Sequence, residues 1–406
     1  MVINKYKDKK IDDQVFIFSK KAKEKKEEIG KENTINGTLG IFYNEDEELH
    51  ILDSVYTEYK NLNSFDIFGY ASSIDGDEKF KEAVKICTLG KNYKNTYKNN
   101  FTEVIATPGG TGAIYNTFQN YLNDGEKVLL PEFMWGSYKV IAKECGGNYE
   151  TYKMFNKENN FNLETFKDSV LSLAKVQRSL VIVINDPCHN PTGYKLSKKE
   201  WTKIIDILKI ASECTNVVLL RDIAYSDFDE TPIDINDLFI SLPKNFLVIL
   251  AFSISKSFSS YGLRVGAQVA ITSCEKIQEE FLNANKHTGR GVWSNISKSG
   301  MTMFSNLVLN KNNTLLKERE YMITLLKERA DIFINTAKNI NLDILPYESG
   351  FFLFIPLQTT NYNIISKKLE DENIYITGSD LGIRIALCSI PKNKIKLMAE
   401  KIKKYL

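Results

Sequence analysis

The stretch from Ser253 to Gly266, Ser-Ile-Ser-Lys-Ser-Phe-Ser-Ser-Tyr-Gly-Leu-Arg-Val-Gly, places Lys256 among small hydroxylated residues directly after an apolar run, with Arg264 further along. A solvated lysine is an ammonium with a pKa near ~10.4. Held at a strand end, partly desolvated and beside another cation, the same amine is neutral enough to form a Schiff base with a carbonyl. Arg264 supplies the cation, and an arginine with hydroxyls beside such a lysine also suits a phosphate. The chemistry this spacing permits is covalent capture of a phosphorylated aldehyde, and the pattern suggests pyridoxal 5'-phosphate (PLP). Alone, Ser-x-Ser-Lys also describes ordinary surface lysines, so the rest of the chain must decide.

Six other segments bear on that choice. Thr107-Pro108-Gly109-Gly110-Thr111-Gly112-Ala113 follows the apolar run Val104 to Ala106 and precedes a helical pattern, which offers bare N–H groups and a helix N-terminus to an anion. As a lone Gly-rich turn it reads equally as a flexible loop. Asn185-Asp186-Pro187-Cys188-His189-Asn190-Pro191-Thr192-Gly193 closes the run Leu180 to Ile184 in a rigid turn that aims Asn190 into a crevice, where its amide can donate to a phenolate. Arg221-Asp222-Ile223-Ala224-Tyr225 ends the next run. A carboxylate emerging there needs a partner, which is either a pyridinium N–H or Arg221 in a structural ion pair. Trp135, after the run ending at Pro131, stacks on a heteroaromatic ring or fills the core. Arg290 and Arg384, from later segments, could bracket a diacid by bidentate contacts.

The elements that must position these residues are apolar runs at 127–130, 180–184, 217–220, 247–250 and 265–271, alternating with helical patterns from about Phe80 onward. Uninterrupted Val/Ile/Leu runs of this kind predict an α/β chain with a mostly parallel sheet covered on both faces, its ligands gathered beyond the carboxyl ends of the strands. Asp12 or Asp13 is expected to cap a helix running to about Glu28, followed by an extended segment, 34–43. A helix-prone stretch from about Asn295 to Ile340 leads into strands near 350–355 and 382–387 and a closing Lys-rich helix.

At 406 residues and 43% hydrophobic content the chain has room for two domains and a sizeable core. Lys+Arg 53 against Asp+Glu 51 leaves a net charge of +2, which recommends neither nucleic acid nor an anionic membrane as partner. Six scattered cysteines without a C-x-x-C pair read as reduced, and three histidines, His50, His189 and His287, offer no zinc site, so no metal is expected. No secretory or membrane-spanning stretch is evident, which predicts a cytoplasmic protein.

With these residues in hand the chain resembles the fold-type I PLP-dependent aminotransferases of class I, similar to the aspartate and aromatic aminotransferases. The resemblance runs from about Asn36 to the C-terminus and rests on Asn190-Pro191-Thr192-Gly193, Asp222 with Tyr225, Ser253-x-Ser-Lys256 with Arg264, and Arg384, in the family's order. It implies a large domain with a mostly parallel seven-stranded sheet sandwiched by helices and a smaller α/β domain. The expected boundaries are an N-terminal segment 1–45 joining the small domain, a PLP-binding domain 46–305, and a small domain 306–406.

The resemblance further implies that Lys256 carries the cofactor and moves the proton, that Asp222 binds the pyridine nitrogen, and that Tyr225 and Asn190 bind the ring oxygen. Trp135 would stack on the ring, and Gly110, Thr111, Ser253 and Arg264 would hold the phosphate. Arg384 would take the substrate α-carboxylate, and Gly40 would lie in the segment covering the substrate. Tyr70 would reach the phosphate of a neighbouring subunit and Arg290 would cross to bind a side-chain carboxylate, which implies a homodimer with shared sites. The expected reaction is ping-pong transfer of an amino group from an L-amino acid, aspartate and/or aromatic, to 2-oxoglutarate. A C–S lyase or other β-eliminase of the same fold, and a non-catalytic PLP-binding regulator, are the alternatives. Two departures stand out: Tyr138 and Asn185 occupy places where the aspartate enzymes carry histidines.

Overall fold

The apolar runs become strands because residues buried on both faces have no reason to alternate with polar ones. In a computed structural model, which describes residues 6–7, 14–310, 313–358 and 361–406, the strands are β1 (Ile35–Gly37), β2 (Phe101–Thr107), β3 (Lys127–Pro131), β4 (Asn148–Tyr152), β5 (Ser179–Asn185), β6 (Asn216–Asp222), β7 (Phe246–Ser253), β8 (Gly266–Thr272), β9 (Phe352–Pro356), β10 (Ile374–Ser379) and β11 (Gly382–Ala386), and the apolar runs fall in β2, β3, β5, β6, β7 and β8. The chain divides into two compact units.

The first unit spans His50–Leu325 and Pro346–Gly350. It holds a seven-stranded sheet in the order β2-β8-β7-β6-β5-β3-β4. Only β8 runs against its neighbours β2 and β7; the other pairings are parallel. Six strands therefore point the same way, and their carboxyl ends share one edge of the sheet. Every residue of β7 and β8 is buried.

Helices cover this sheet by presenting apolar stripes. In helix Lys198–Ala211 the buried residues Trp201, Ile204, Ile205, Leu208 and Ala211 recur at helical spacing. Its start is set by a capping box in which the Ser197 side chain accepts from the Glu200 N–H and the Glu200 carboxylate accepts from Ser197. Each such Ile or Leu contributes on the order of 1.5–3 kcal/mol by leaving water.

The second unit comprises the described residues of Met1–Leu49, Leu326–Leu345 and Phe351–Leu406. Its four-stranded sheet has the order β1-β10-β11-β9, with β1 parallel to β10 and the other pairs antiparallel. Arg329, fully buried, ties the N-terminal segment to the end of β11. Its guanidinium donates to Tyr43 O, Glu45 Oε1, Leu387 O and Cys388 O at 2.7–3.2 Å. A buried charge is tolerable only when it is saturated in this way.

Two strands have no counterpart among the expected ones, β4 and β10. β4 reads Asn-Tyr-Glu-Thr-Tyr and lies at the sheet edge, where one side faces no neighbouring strand and polar residues are accepted. The helix-prone stretch 295–340 resolves into Lys298–Leu309, capped by the Ser297 hydroxyl, and Asn313–Asn339. The first helix runs Gln14–Ile29; Asp12 and Asp13 lie outside the described residues.

Candidate active site

The shared edge of the seven-stranded sheet collects the segments singled out above. Asp222 is the last residue of β6, Asn185 the last of β5, and Ser253 the last of β7, with Lys256 three residues on. β2 ends at Thr107 and feeds helix Gly109–Tyr121. The antiparallel return of β8 brings its first residue, Gly266, opposite both Thr107 and Ser253, so Arg264 arrives at the same edge.

Arg264 sits in the left-handed region at φ 52°. Its Nη1 donates to Ser255 Oγ at 3.3 Å and to Tyr261 O at 3.1 Å, while the Ser255 N–H donates to Ser253 Oγ at 3.2 Å. Gly109 has φ +69° and a Cβ there would lie 2.8 Å from Arg264 Nη2. The guanidinium thus occupies the space that the missing side chain leaves, beside the first N–H groups of the helix. Two hydroxyls, a guanidinium and a helix N-terminus make a donor set for a dianion.

Asp222 is buried, and burial raises its carboxyl above the ordinary carboxylate range. The Tyr138 hydroxyl, the Ala224 N–H and the Lys256 charge oppose that rise. Tyr138 Oη donates to Asp222 Oδ2 at 2.5 Å and the Ala224 N–H donates to Oδ1 at 3.1 Å. The alternative pairing with Arg221 does not occur. Adjacent residues of a strand face opposite sides, and Arg221 reaches Asp186 (Nη2 to Oδ2 3.4 Å, Nε to O 3.2 Å) over the Trp201 ring. Asp186 is otherwise held by Trp201 Nε1 at 2.8 Å and the Leu196 N–H at 2.7 Å.

Lys256 Nζ lies 5.6 Å from the centre of the Tyr225 ring and 4.9 Å from that of Tyr261. Asn185 explains the loop that follows β5: its Nδ2 donates to Asp222 O at 2.9 Å and its Oδ1 accepts from the Asn190 N–H at 2.7 Å. Asn185 thereby fixes the segment carrying Asn190 to the strand carrying Asp222. Trp135, half-buried, meets Tyr138 edge to face with ring centres 5.4 Å apart. Ser255, Tyr261 and the bridging action of Asn185 go beyond what the sequence alone indicates; the alternating Ser-x-Ser spacing is the signal for Ser255.

Two other expected residues of the same unit are exposed. Tyr70 is 85% exposed and Arg290, also exposed, donates from Nη1 to Ser294 Oγ at 2.7 Å. In the second unit Arg384 projects from β11, donates from Nη2 to Thr38 O at 2.6 Å and lies 4.5 Å from the centre of the Phe352 ring. Thr38 is two residues from Gly40, so the arginine and the Gly40 segment are neighbours within that unit.

The chain belongs to the aminotransferase class I and II family, whose model matches residues 39–402. It is a PLP-dependent aminotransferase of fold type I. An aminotransferase structure from Anaerococcus prevotii DSM 20548 shares 33% identity and a TM-score of 0.92, covering 100% of this chain and 99% of that one. The aspartate aminotransferase of Pseudomonas aeruginosa is 27% identical over 70% of this chain and 71% of its own length. The tyrosine aminotransferase of Klebsiella pneumoniae is 22% identical over 88% and 90% respectively. In fold the chain is also similar to a Burkholderia pseudomallei aromatic-amino-acid aminotransferase covalently bound to pyridoxal phosphate (22% identity, TM-score 0.80, 100% of each chain).

The residues present fit that cofactor. The Gly109 gap filled by Arg264 matches a phosphate, and the desolvated Asp222 carboxyl matches a protonated ring nitrogen. Gly109→Ala therefore carries a specific cost. The new methyl displaces the guanidinium, and PLP affinity of the apoenzyme, measured by equilibrium titration, should fall roughly 10- to 100-fold, the worth of a charged hydrogen bond. Undiminished affinity would show that the phosphate is held elsewhere.

Proposed function

We propose that this enzyme transfers the amino group of an L-amino acid, aspartate and/or aromatic, to 2-oxoglutarate in a ping-pong cycle, as a homodimer with shared sites. The observation that carries this reading is that Lys256 and Asp222, from neighbouring strand ends, act on one space: the lysine's charge bears on the carboxyl, and its amine lies over the Tyr225 ring. PLP, when bound, supplies an electron-withdrawing ring that stabilises a carbanion at the substrate α-carbon.

In this reading Lys256 would carry the cofactor and act as the base that takes the substrate α-proton and then as the acid that delivers it to the cofactor carbon. Asp222 keeps the ring nitrogen protonated, Tyr225 and Asn190 donate to the ring oxygen, and Trp135 covers the ring face. Gly110, Thr111, Ser253 and Arg264 bind the phosphate, with Ser255 holding the arginine. Arg384 receives the substrate α-carboxylate beside the segment that carries Gly40. Tyr70 and Arg290, exposed on a single chain, are available to a second copy, Tyr70 for its phosphate and Arg290 for a side-chain carboxylate. The proposed setting is the cytoplasm. Among the described residues no helix is long and apolar enough to cross a membrane.

A substrate screen with 2-oxoglutarate as acceptor, comparing aspartate, tyrosine, phenylalanine, alanine and kynurenine, tests the donor range. Arg290→Ala tests the acceptor. Losing one side of a charged pair costs about 2–5 kcal/mol, so kcat/KM for dicarboxylates should drop at least about 30-fold while phenylalanine and tyrosine change little. An equal loss for both classes would remove Arg290 from the site.

A further inference from the structure

The Asp222 carboxylate accepts a side-chain hydrogen bond from the Tyr138 hydroxyl. Tyr138 belongs to helix Ser137–Glu144 just beyond β3, is 1% exposed, and packs against Trp135 at an interplanar angle of 87°. One side chain therefore touches both the indole read as covering the cofactor ring and the carboxylate read as pairing with its nitrogen. A phenol O–H in contact with a carboxylate is the donor and the carboxylate the acceptor.

We infer that Tyr138 is a positioning residue: by donating to Asp222 Oδ2 it holds that carboxylate in one orientation as an ionised acceptor for the cofactor nitrogen, while its ring props Trp135. The inference rests on the reading of Asp222 as the nitrogen's partner. Three features carry it. The contact is short and both groups are buried, so water does not substitute for the hydroxyl. With Oδ1 engaged by the Ala224 N–H, each carboxylate oxygen already has one donor that fixes its direction. Burial and the neighbouring carboxylate push the phenol well above its ordinary value, so it stays a donor throughout the range in which enzymes work. The other titratable or charged groups facing the pair are Lys256, which favours the ionised carboxylate, and Tyr225, which bears on the phenol; β5 presents only the amide of Asn185. Without the Tyr138 donor, burial acts on Asp222 less opposed, and the carboxyl takes up a proton at higher pH.

Tyr138→Phe keeps the ring against Trp135 and removes only the hydroxyl. Its effect is read as the PLP affinity of the apoenzyme, in wild-type and Asp222→Asn backgrounds and as a function of pH. In the wild-type background Y138F should weaken PLP binding roughly 10- to 100-fold and move the acid limb of the binding profile to higher pH. In the Asp222→Asn background the same change should cost less than about threefold, because residues acting through one another are not additive. Y138H, which restores an N–H donor, should recover most of the affinity and add a titration of its own. A loss of equal size in both backgrounds, or wild-type affinity and profile in Y138F, overturns the inference. If D222N alone leaves PLP affinity unchanged, the reading of Asp222 fails instead.

Discussion

Replacing Lys256 with alanine is expected to abolish the covalent cofactor linkage and to lower the rate of amino transfer by roughly 10⁴-fold, the upper end of what one general acid–base group contributes. The reason is positional. Lys256 follows β7 by three residues, and its amine stands over the Tyr225 ring within reach of the Asp222 field. Borohydride trapping followed by mass analysis reads the first effect, and single-turnover kinetics with aspartate or tyrosine reads the second. A variant that still traps PLP at another lysine, or that transfers amino groups within tenfold of the wild type, would end the assignment.

The second large effect concerns Asp222→Asn, whose consequences for function and for stability should have opposite signs. Removing the charge deprives a protonated ring nitrogen of its partner in a buried site, a loss of about 3–5 kcal/mol and hence at least two orders of magnitude in kcat. The apoprotein should respond differently. Burial raises the Asp222 carboxyl in the folded state. A group that holds its proton more tightly folded than unfolded favours folding at low pH, and that contribution is lost as pH rises through its folded-state value. Above that folded-state value the apoenzyme bears an ionised carboxylate at a cost, which asparagine, an isostere of the same shape, does not incur.

Thermal unfolding of apo D222N at pH 8 should occur at or above the wild-type temperature, with the difference closing as pH falls and the wild-type carboxyl takes up its proton. Saturating PLP should raise the wild-type midpoint more than that of the variant, since ligand stabilisation follows affinity. A variant whose apoprotein is markedly less stable at pH 8 would mark Asp222 as a structural residue. The pattern of gained stability with lost activity is that of a residue kept for function.

Much of this site was legible before any fold was seen, because its chemistry hangs on punctuation. Asp222, Asn185 and Ser253 each close an apolar run, and such runs, spaced by helical segments, predict a parallel sheet with ligands at its carboxyl edge. β4 and β10 have no counterpart in the sequence reading: β4 mixes polar with aromatic residues, and β10 carries only the short apolar run Ile374 to Ile376 before Thr377, Gly378 and Ser379. The separate fates of Arg221 and Asp222 were half legible: strand alternation sends them to opposite faces, but that Asp186 would be waiting for Arg221 was not.

What the amino-acid order determined by itself was the set of reactive groups and their attachment to strand ends, because local patterning dictates where each strand stops. What the tertiary structure alone decided was which ends meet. The antiparallel return of β8 sets Gly266 opposite both Thr107 and Ser253 and so carries Arg264 to the Gly109 gap. The packing of helix Ser137–Glu144 sends the Tyr138 hydroxyl to a carboxylate 84 positions away. Those partners are chosen by strand order and burial, which are properties of the whole sheet and leave no mark at the individual positions.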